Sequence, residues 1–156
     1  MDFYFAYGSN MNPARVIARR MQFDEHFGGE LDGYTLRFNK RSVAYPGAAS
    51  ANIVEAAGSV VEGVLYRLSA PEQIETMDPY EGYPVRYSRV LRAVRTSSGD
   101  VDAWVYIANP EFIEEGLKPL EWYLAHLLAG KPHLSEGYFR RLEATPCIPD
   151  TSVEPA

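Results

Sequence analysis

The sequence predicts an α+β domain: a small, mixed but mostly antiparallel β-barrel with peripheral helices. Three observations lead there. Five or six short runs rich in aromatic and β-branched residues fall before Pro110. Short helical signals interrupt those runs, and two helical segments follow Pro110. Strands gathered first and helices gathered last favour an α+β arrangement, whose sheet can close on itself and remove its edges.

Each element has its own reason. Phe3 to Tyr7 is short and aromatic, which favours a strand. Asn12 is placed to cap a helix that opens on Pro13, where a missing N–H costs nothing, and that helix is expected to run to about Arg20. Tyr34, Leu36 and Phe38 alternate on one face of a strand that starts near Gly28. The small residues from Ala44 to Gly58 suggest mostly loop, with a short extended piece around Asn52-Ile53-Val54. Residues 59–69 then form another strand. Ser69 and Glu72 have capping-box spacing around Pro71, so a brief helix is expected to start there and to end at Asp78-Pro79. Residues 86–110 suggest a hairpin that turns at Ser97-Ser98-Gly99-Asp100. Leu120, Leu124, Leu127 and Leu128 have helical spacing before Gly130, and Ser135 is placed to cap a last helix. Residues 1–146 are expected to be one domain, with a Pro-rich tail over 147–156 that frays.

Composition narrows the function. A chain of 156 residues with 46% hydrophobic and 23% charged residues is long enough for a single self-sufficient core. A net charge of −6 argues against a nucleic-acid partner, which would want a basic face. The first ten residues carry an acid and no basic region, so no secretory signal is expected, and no apolar run is long enough for a membrane partner. The lone Cys147 permits no internal disulfide, which fits a cytoplasmic protein. His26, His126 and His133 lack ligand spacing, so no metal is expected.

Two stretches carry chemistry. In Tyr7-Gly8-Ser9-Asn10 a turn joins a strand to a helix, and successive N–H groups there can cradle a carboxylate or an oxyanion. The plain alternative is turn chemistry, with the Ser9 hydroxyl bonding local backbone. A serine nucleophile is also conceivable, although the stretch lacks the second glycine of a nucleophile elbow. In Asp78-Pro79-Tyr80-Glu81-Gly82, Glu81 leaves a constrained turn between Tyr80 and Tyr83. A carboxylate desolvated among rings has a raised pKa and suits a base near neutral pH. Its plain alternative is a solvated turn acid.

Together and in this order, the two motifs resemble the γ-glutamylcyclotransferase family. That family pairs a Tyr-Gly-Ser-Asn loop after strand one with a Glu-Gly turn before a Tyr-led strand, and Gly63-Val64-Leu65-Tyr66 matches a further strand of it. The resemblance covers roughly residues 3 to 146. It implies a small barrel decorated by helices. It also implies intramolecular aminolysis: a substrate's α-amine attacks its own γ-carbonyl, giving 5-oxoproline and a free amine. Carried over by position, Glu81 is the general acid/base, and Tyr7, Gly8, Ser9 and Asn10 hold the glutamyl end. Tyr87, Tyr106 and Tyr123 line the pocket. The loop reads Tyr-Gly-Ser-Asn where the glutathione-specific branch has Tyr-Gly-Ser-Leu, which points away from glutathione. The partner so implied is a small γ-glutamyl compound: an amino acid, an amine or a protected natural product. A non-catalytic binding member of the same fold and a Ser9-dependent amidase stay open, as does a homodimer through the helix at 120–128.

Overall fold

The computed structural model describes residues 1–150. Five strands, β1 (Phe3–Ala6), β2 (Phe23–Arg41), β3 (Ala49–Leu68), β4 (Tyr87–Thr96) and β5 (Gly99–Ala108), close into a barrel in the order β1-β3-β2-β4-β5. All the pairings are antiparallel except β1 with β5, the parallel contact that closes the ring. Four helices lie outside: α1 (Pro13–Ala18), α2 (Gln73–Glu81), α3 (Glu121–Leu128) and α4 (Glu136–Glu143).

The period of two sorts the strand side chains, and β1 buries both of its faces. Phe5, Val61, Leu65, Ala103 and Val105 belong to one apolar cluster inside the barrel. Tyr4, Ala6, Val64, Tyr66 and Tyr106, one position along, belong to a second cluster shared with the helices. β1 therefore has no solvent face: Tyr4, Phe5 and Ala6 are all buried. This is why the short aromatic run at the start of the chain sits at the centre of the molecule.

Several elements depart from expectation. The stretch read as loop after Ala44 is strand from Ala49 onward, continuous with the segment expected at 59–69. Its small residues are held by tertiary partners: the Ala49 N–H donates to the Lys118 carbonyl, and the Ala51 N–H donates to the Tyr123 hydroxyl at 2.9 Å. Strand β2 starts at Phe23, ahead of Gly28. No capping box forms at Ser69, whose hydroxyl donates instead to Asp24 while the helix begins at Gln73. That helix does not stop at Asp78-Pro79. It continues to Glu81 and ends on Gly82, in the left-handed region at φ 73°. Ile74 and Met77 are buried beneath it, and the Gly82 and Tyr83 N–H groups both donate to the Asp78 carbonyl, which together outweigh the helix bond lost at Pro79. The hairpin loop is only Ser97-Ser98, since Thr96 pairs with Gly99.

Other expectations match. Asn12 caps α1 by accepting from the Ala14 N–H, and Ser135 caps α4 by accepting from the Tyr138 N–H. Leu124 and Leu127 of α3 are buried in the chain's own core. Against the expected fraying past Pro146, Ile148 bridges alongside Leu120, so the first residues of the tail are docked on the entry to α3. Residues 151–156 of the expected tail lie outside the described residues.

Two glycines make the barrel closable. Gly29 and Gly63 face each other across β2 and β3. A Cβ on Gly63 would lie 2.4 Å from the Ala6 carbonyl oxygen and 2.8 Å from the Phe5 ring. Gly63→Ala is therefore expected to lower unfolding stability by about 1–3 kcal/mol through overpacking. A urea denaturation midpoint equal to the wild type's would show that β1 does not approach β3 this closely.

Candidate functional site

The first strand, the turn after it and the end of α2 meet at one cavity of about 320 Å³. That volume is in the range usual for small-molecule pockets, ~300–1,000 Å³. Every residue singled out from the sequence lines it: Tyr7, Gly8, Ser9, Asn10, Glu81, Tyr87, Tyr106 and Tyr123. The chain brings them together because the turn after β1, the end of α2, the start of β4, the end of β5 and the first turn of α3 all face this cavity.

The loop is a single turn of 3-10 helix, Ser9–Met11, started by Gly8 and leading into α1. The Met11 N–H donates back to the Gly8 carbonyl, whereas the N–H groups at the head of such a turn have no partner within it. Gly8 is tight against β3, since a Cβ there would lie 3.1 Å from the Ala51 Cβ and 3.4 Å from the Tyr123 hydroxyl. The Ser9 hydroxyl accepts from Arg15 Nε at 3.2 Å, and among the described residues no histidine or carboxylate bonds it.

Asn10 is 2% exposed and central. Its Oδ1 accepts from Arg19 at 3.2 Å, which fixes the amide's orientation. Its Nδ2 donates to the Tyr4 hydroxyl at 2.9 Å and to Glu81 Oε1 at 3.3 Å. Its carbonyl accepts from the Tyr66 hydroxyl at 2.6 Å. The amide thus joins the loop to the carboxylate through one rigid side chain.

Glu81 is half-buried by surface yet walled by protein on the cavity side. Burial pushes its pKa up, and the neighbouring charges of Arg19, Lys40, Arg15 and Arg86 pull the other way without cancelling that effect. Among the described residues that line the cavity, Glu81 is the only acid; those four residues are the cations. A chain of net charge −6 therefore presents a cationic cavity. Sequence reasoning missed all four. Arg15 in α1 and Arg19 at its C-cap are four apart, which puts them on one side of the helix next to the loop. Lys40 follows Tyr34, Leu36 and Phe38 at the same spacing of two, but a register shift between Arg37 and Lys40 breaks the alternation, and Asn39 and Lys40 are both buried.

The tyrosines divide by what their hydroxyls do. Tyr7 donates to the Tyr106 carbonyl at 2.5 Å, and Tyr87 to the Ala51 carbonyl at 2.7 Å. Tyr106 donates to Asp78 Oδ1 at 2.6 Å, so its hydroxyl braces α2 while its ring walls the cavity. Tyr123 accepts from the Ala51 N–H and retains its own proton for a ligand. Burial raises all four above the ordinary phenol pKa, so they stay neutral donors.

A family model described as "Gamma-glutamyl cyclotransferase, AIG2-like" matches residues 4–125. A solved structure described as "Gamma-glutamyl cyclotransferase" is similar at a TM-score of 0.85 and 22% identity, over 97% of this chain and 92% of that one. The uncharacterized protein loc79017 from Homo sapiens is similar at 0.83 and 23%, over 99% and 92%. YkqA from Bacillus subtilis is similar at 0.75 and 25%, over 94% of this chain and 55% of that one. A search of curated protein sequences found no match.

The raised pKa of Glu81 has a consequence for stability. In the unfolded chain this carboxyl ionises in the ordinary range, near 4.3. In the folded protein it ionises at higher pH, so its contribution to stability is lost as pH rises through the folded value. Glu81→Gln is therefore expected to melt at a higher temperature than the wild type at pH 7, with the gap closing near pH 4. A variant that melts lower at pH 7 would mean that the four cations outweigh burial.

Proposed function

We propose, from the premise that this chain belongs to the gamma-glutamyl cyclotransferase, AIG2-like family, that it releases 5-oxoproline and a free amine from a γ-glutamyl amino acid or amine. The observation that carries this reading is Glu81: one carboxylate of raised pKa in a cationic, tyrosine-walled cavity, bonded to the amide of the Gly8-Ser9-Asn10 turn.

The reaction suits what the cavity offers. Nucleophile and electrophile are in one molecule, so the protein needs no nucleophile or cofactor of its own. Its tasks are to fold the substrate back on itself, move a proton and steady charge. The glutamyl end sits on the Gly8-Ser9-Asn10 turn. Ionised Glu81 takes a proton from the substrate's α-ammonium, freeing the lone pair. That nitrogen bonds to the γ-carbon, the carbonyl oxygen becomes an oxyanion, and N–H donors or Tyr123 receive it. As the carbonyl re-forms, the bond to the leaving nitrogen breaks, and Glu81 returns its proton there. The attacking nitrogen gives up its second proton to the leaving amine, so the five-membered lactam leaves neutral and the amine leaves as its ammonium, with atoms and charge balanced. Burial keeps Glu81 basic enough to take the proton, and the Asn10 bond favours its ionised form. A cytoplasmic setting is part of this reading, supported by the free thiol of Cys147.

The serine-amidase alternative lacks a base: the Ser9 hydroxyl is bonded by a guanidinium, which cannot accept its proton. The experiment is 5-oxoproline release from γ-glutamyl dipeptides and γ-glutamyl amines. Glu81→Gln is expected to lower turnover by about 10²–10⁴-fold while substrate still binds. Ser9→Ala is expected to cost less, because the turn acts through its backbone. Undiminished turnover in Glu81→Gln would end the mechanism, and a larger loss in Ser9→Ala would favour the nucleophile.

A further inference from the structure

Lys40 is 5% exposed, an unusual place for an ammonium. It belongs to the last turn of pleat in β2, paired with Ser50 and bridged to Ile113. Among the described residues no hydrogen bond or ion pair reaches its Nζ. Its neighbours are ring faces: Tyr87 at 5.6 Å and Phe112 at 5.7 Å from centroid to Nζ. Ring faces attract a cation but do not replace the hydrogen bonds it had in water. Arg86, beside it on the cavity wall, also has no carboxylate partner among the described residues. Lys40 feels the Glu81 carboxylate only at longer range, and a buried cation with no anion bonded to it is costly to keep; here both cations line the cavity.

The charges of the cavity fall on two sides of Glu81. Arg15 and Arg19 are on α1, next to the Gly8-Ser9-Asn10 turn, whereas Lys40 and Arg86 are next to Tyr87, where β4 begins. All four act on the Glu81 carboxylate, which is bonded on the side of the turn by Asn10 Nδ2 at 3.3 Å. Resting on the reading of the turn as the glutamyl site, the scissile amide lies at Glu81 and the leaving amine extends toward Lys40.

We propose that Lys40, backed by Arg86, is a second anion subsite that binds an acidic group on the leaving amine, so that the substrates are γ-glutamyl compounds of acid-bearing amines rather than of neutral or cationic ones. A carboxylate there gives the buried ammonium its missing hydrogen bonds. A cationic leaving group, such as a polyamine or an amino sugar, would instead meet like charge in a desolvated wall. Burial and Arg86 lower the Lys40 pKa to about 8, which leaves it mostly charged at neutral pH.

The test uses two substrates that differ by one charge, γ-glutamyl-alanine and γ-glutamyl-alaninamide, with the full-length protein. The wild type is expected to favour the alanine compound in kcat/KM by about tenfold or more, the worth of a charge-assisted hydrogen bond. In Lys40→Met that ratio is expected to collapse toward one, and in Lys40→Arg to persist. A wild-type ratio near one, or an unchanged ratio in Lys40→Met, would overturn the subsite. Should the wild type turn over neither compound, the cyclotransferase reading fails by itself. Calorimetric binding of glutaryl-alanine and glutaryl-alaninamide, which lack the attacking amine, then decides the subsite alone. Tighter binding of the acid, lost in Lys40→Met, supports it; equal binding refutes it.

Discussion

The carboxylate of Asp78 is the tie on which the site depends. Arg89 of β4 grips it with two bonds of 3.0 Å, and Tyr106 of β5 adds a third at 2.6 Å. Both members of the ion pair have side chains only 13% exposed. Breaking one side of such a pair leaves the other charge buried alone, at a cost of about 3–5 kcal/mol. The Arg89 guanidinium also lies over the rings of Tyr83 and Trp104. Side chain and backbone work together, for the Asp78 carbonyl receives the two N–H groups that end the helix. A nine-residue helix with a proline inside is too weak to hold its own last turn. Pinned at Asp78, it presents Glu81 three residues on, along the same face.

Around that fixed carboxylate, two opposed effects set the chemistry. Burial favours the neutral acid, while four cations and the Asn10 amide favour the carboxylate. Burial prevails. A base held this way keeps affinity for a proton without losing the ability to ionise. The same four cations make the cavity cationic within an acidic chain, so the sign of the site is opposite to the sign of the protein. Net charge spoke against nucleic acid; it could not speak about the inside of a pocket.

The sequence made the outline legible wherever a local pattern decided the structure. Aromatic runs marked the strands, and Asn12 and Ser135 marked two helix starts. The turn at Gly8 and the acid at Glu81 stood out because glycine, serine and a ring-flanked carboxylate have few uses in such places. What stayed hidden was decided by distant partners. Ala49 and Ala51 look like loop residues, yet a carbonyl at Lys118 and a hydroxyl at Tyr123 make them strand. Asn52 gives no local sign that it bonds the Ala108 N–H across the barrel at 2.9 Å. Pro79 seemed to end a helix because the grip of Arg89 and Tyr106 on Asp78 cannot be seen from either end of the chain. Lys40 was not legible: a lysine is most often a solvated strand residue, and the register shift that buries it beside Asn39 depends on the pairing with β3.

Asn10 shows why one residue can matter more than the number of its contacts suggests. An amide can be turned over at little cost, exchanging donor for acceptor. Here Arg19, which can only donate, occupies Oδ1 and forbids the exchange. Nδ2 must then face the Tyr4 hydroxyl and Glu81. The Asn10 carbonyl is fixed as well, by the hydroxyl of Tyr66, a wholly buried residue of β3. The turn, the helix that follows it, the barrel wall and the acid are thus oriented by one another. A leucine of similar size could fill the space, but it would leave the Arg19 guanidinium and Glu81 facing each other with no donor–acceptor between them. Shape alone does not explain this position; the fixed direction of one amide does.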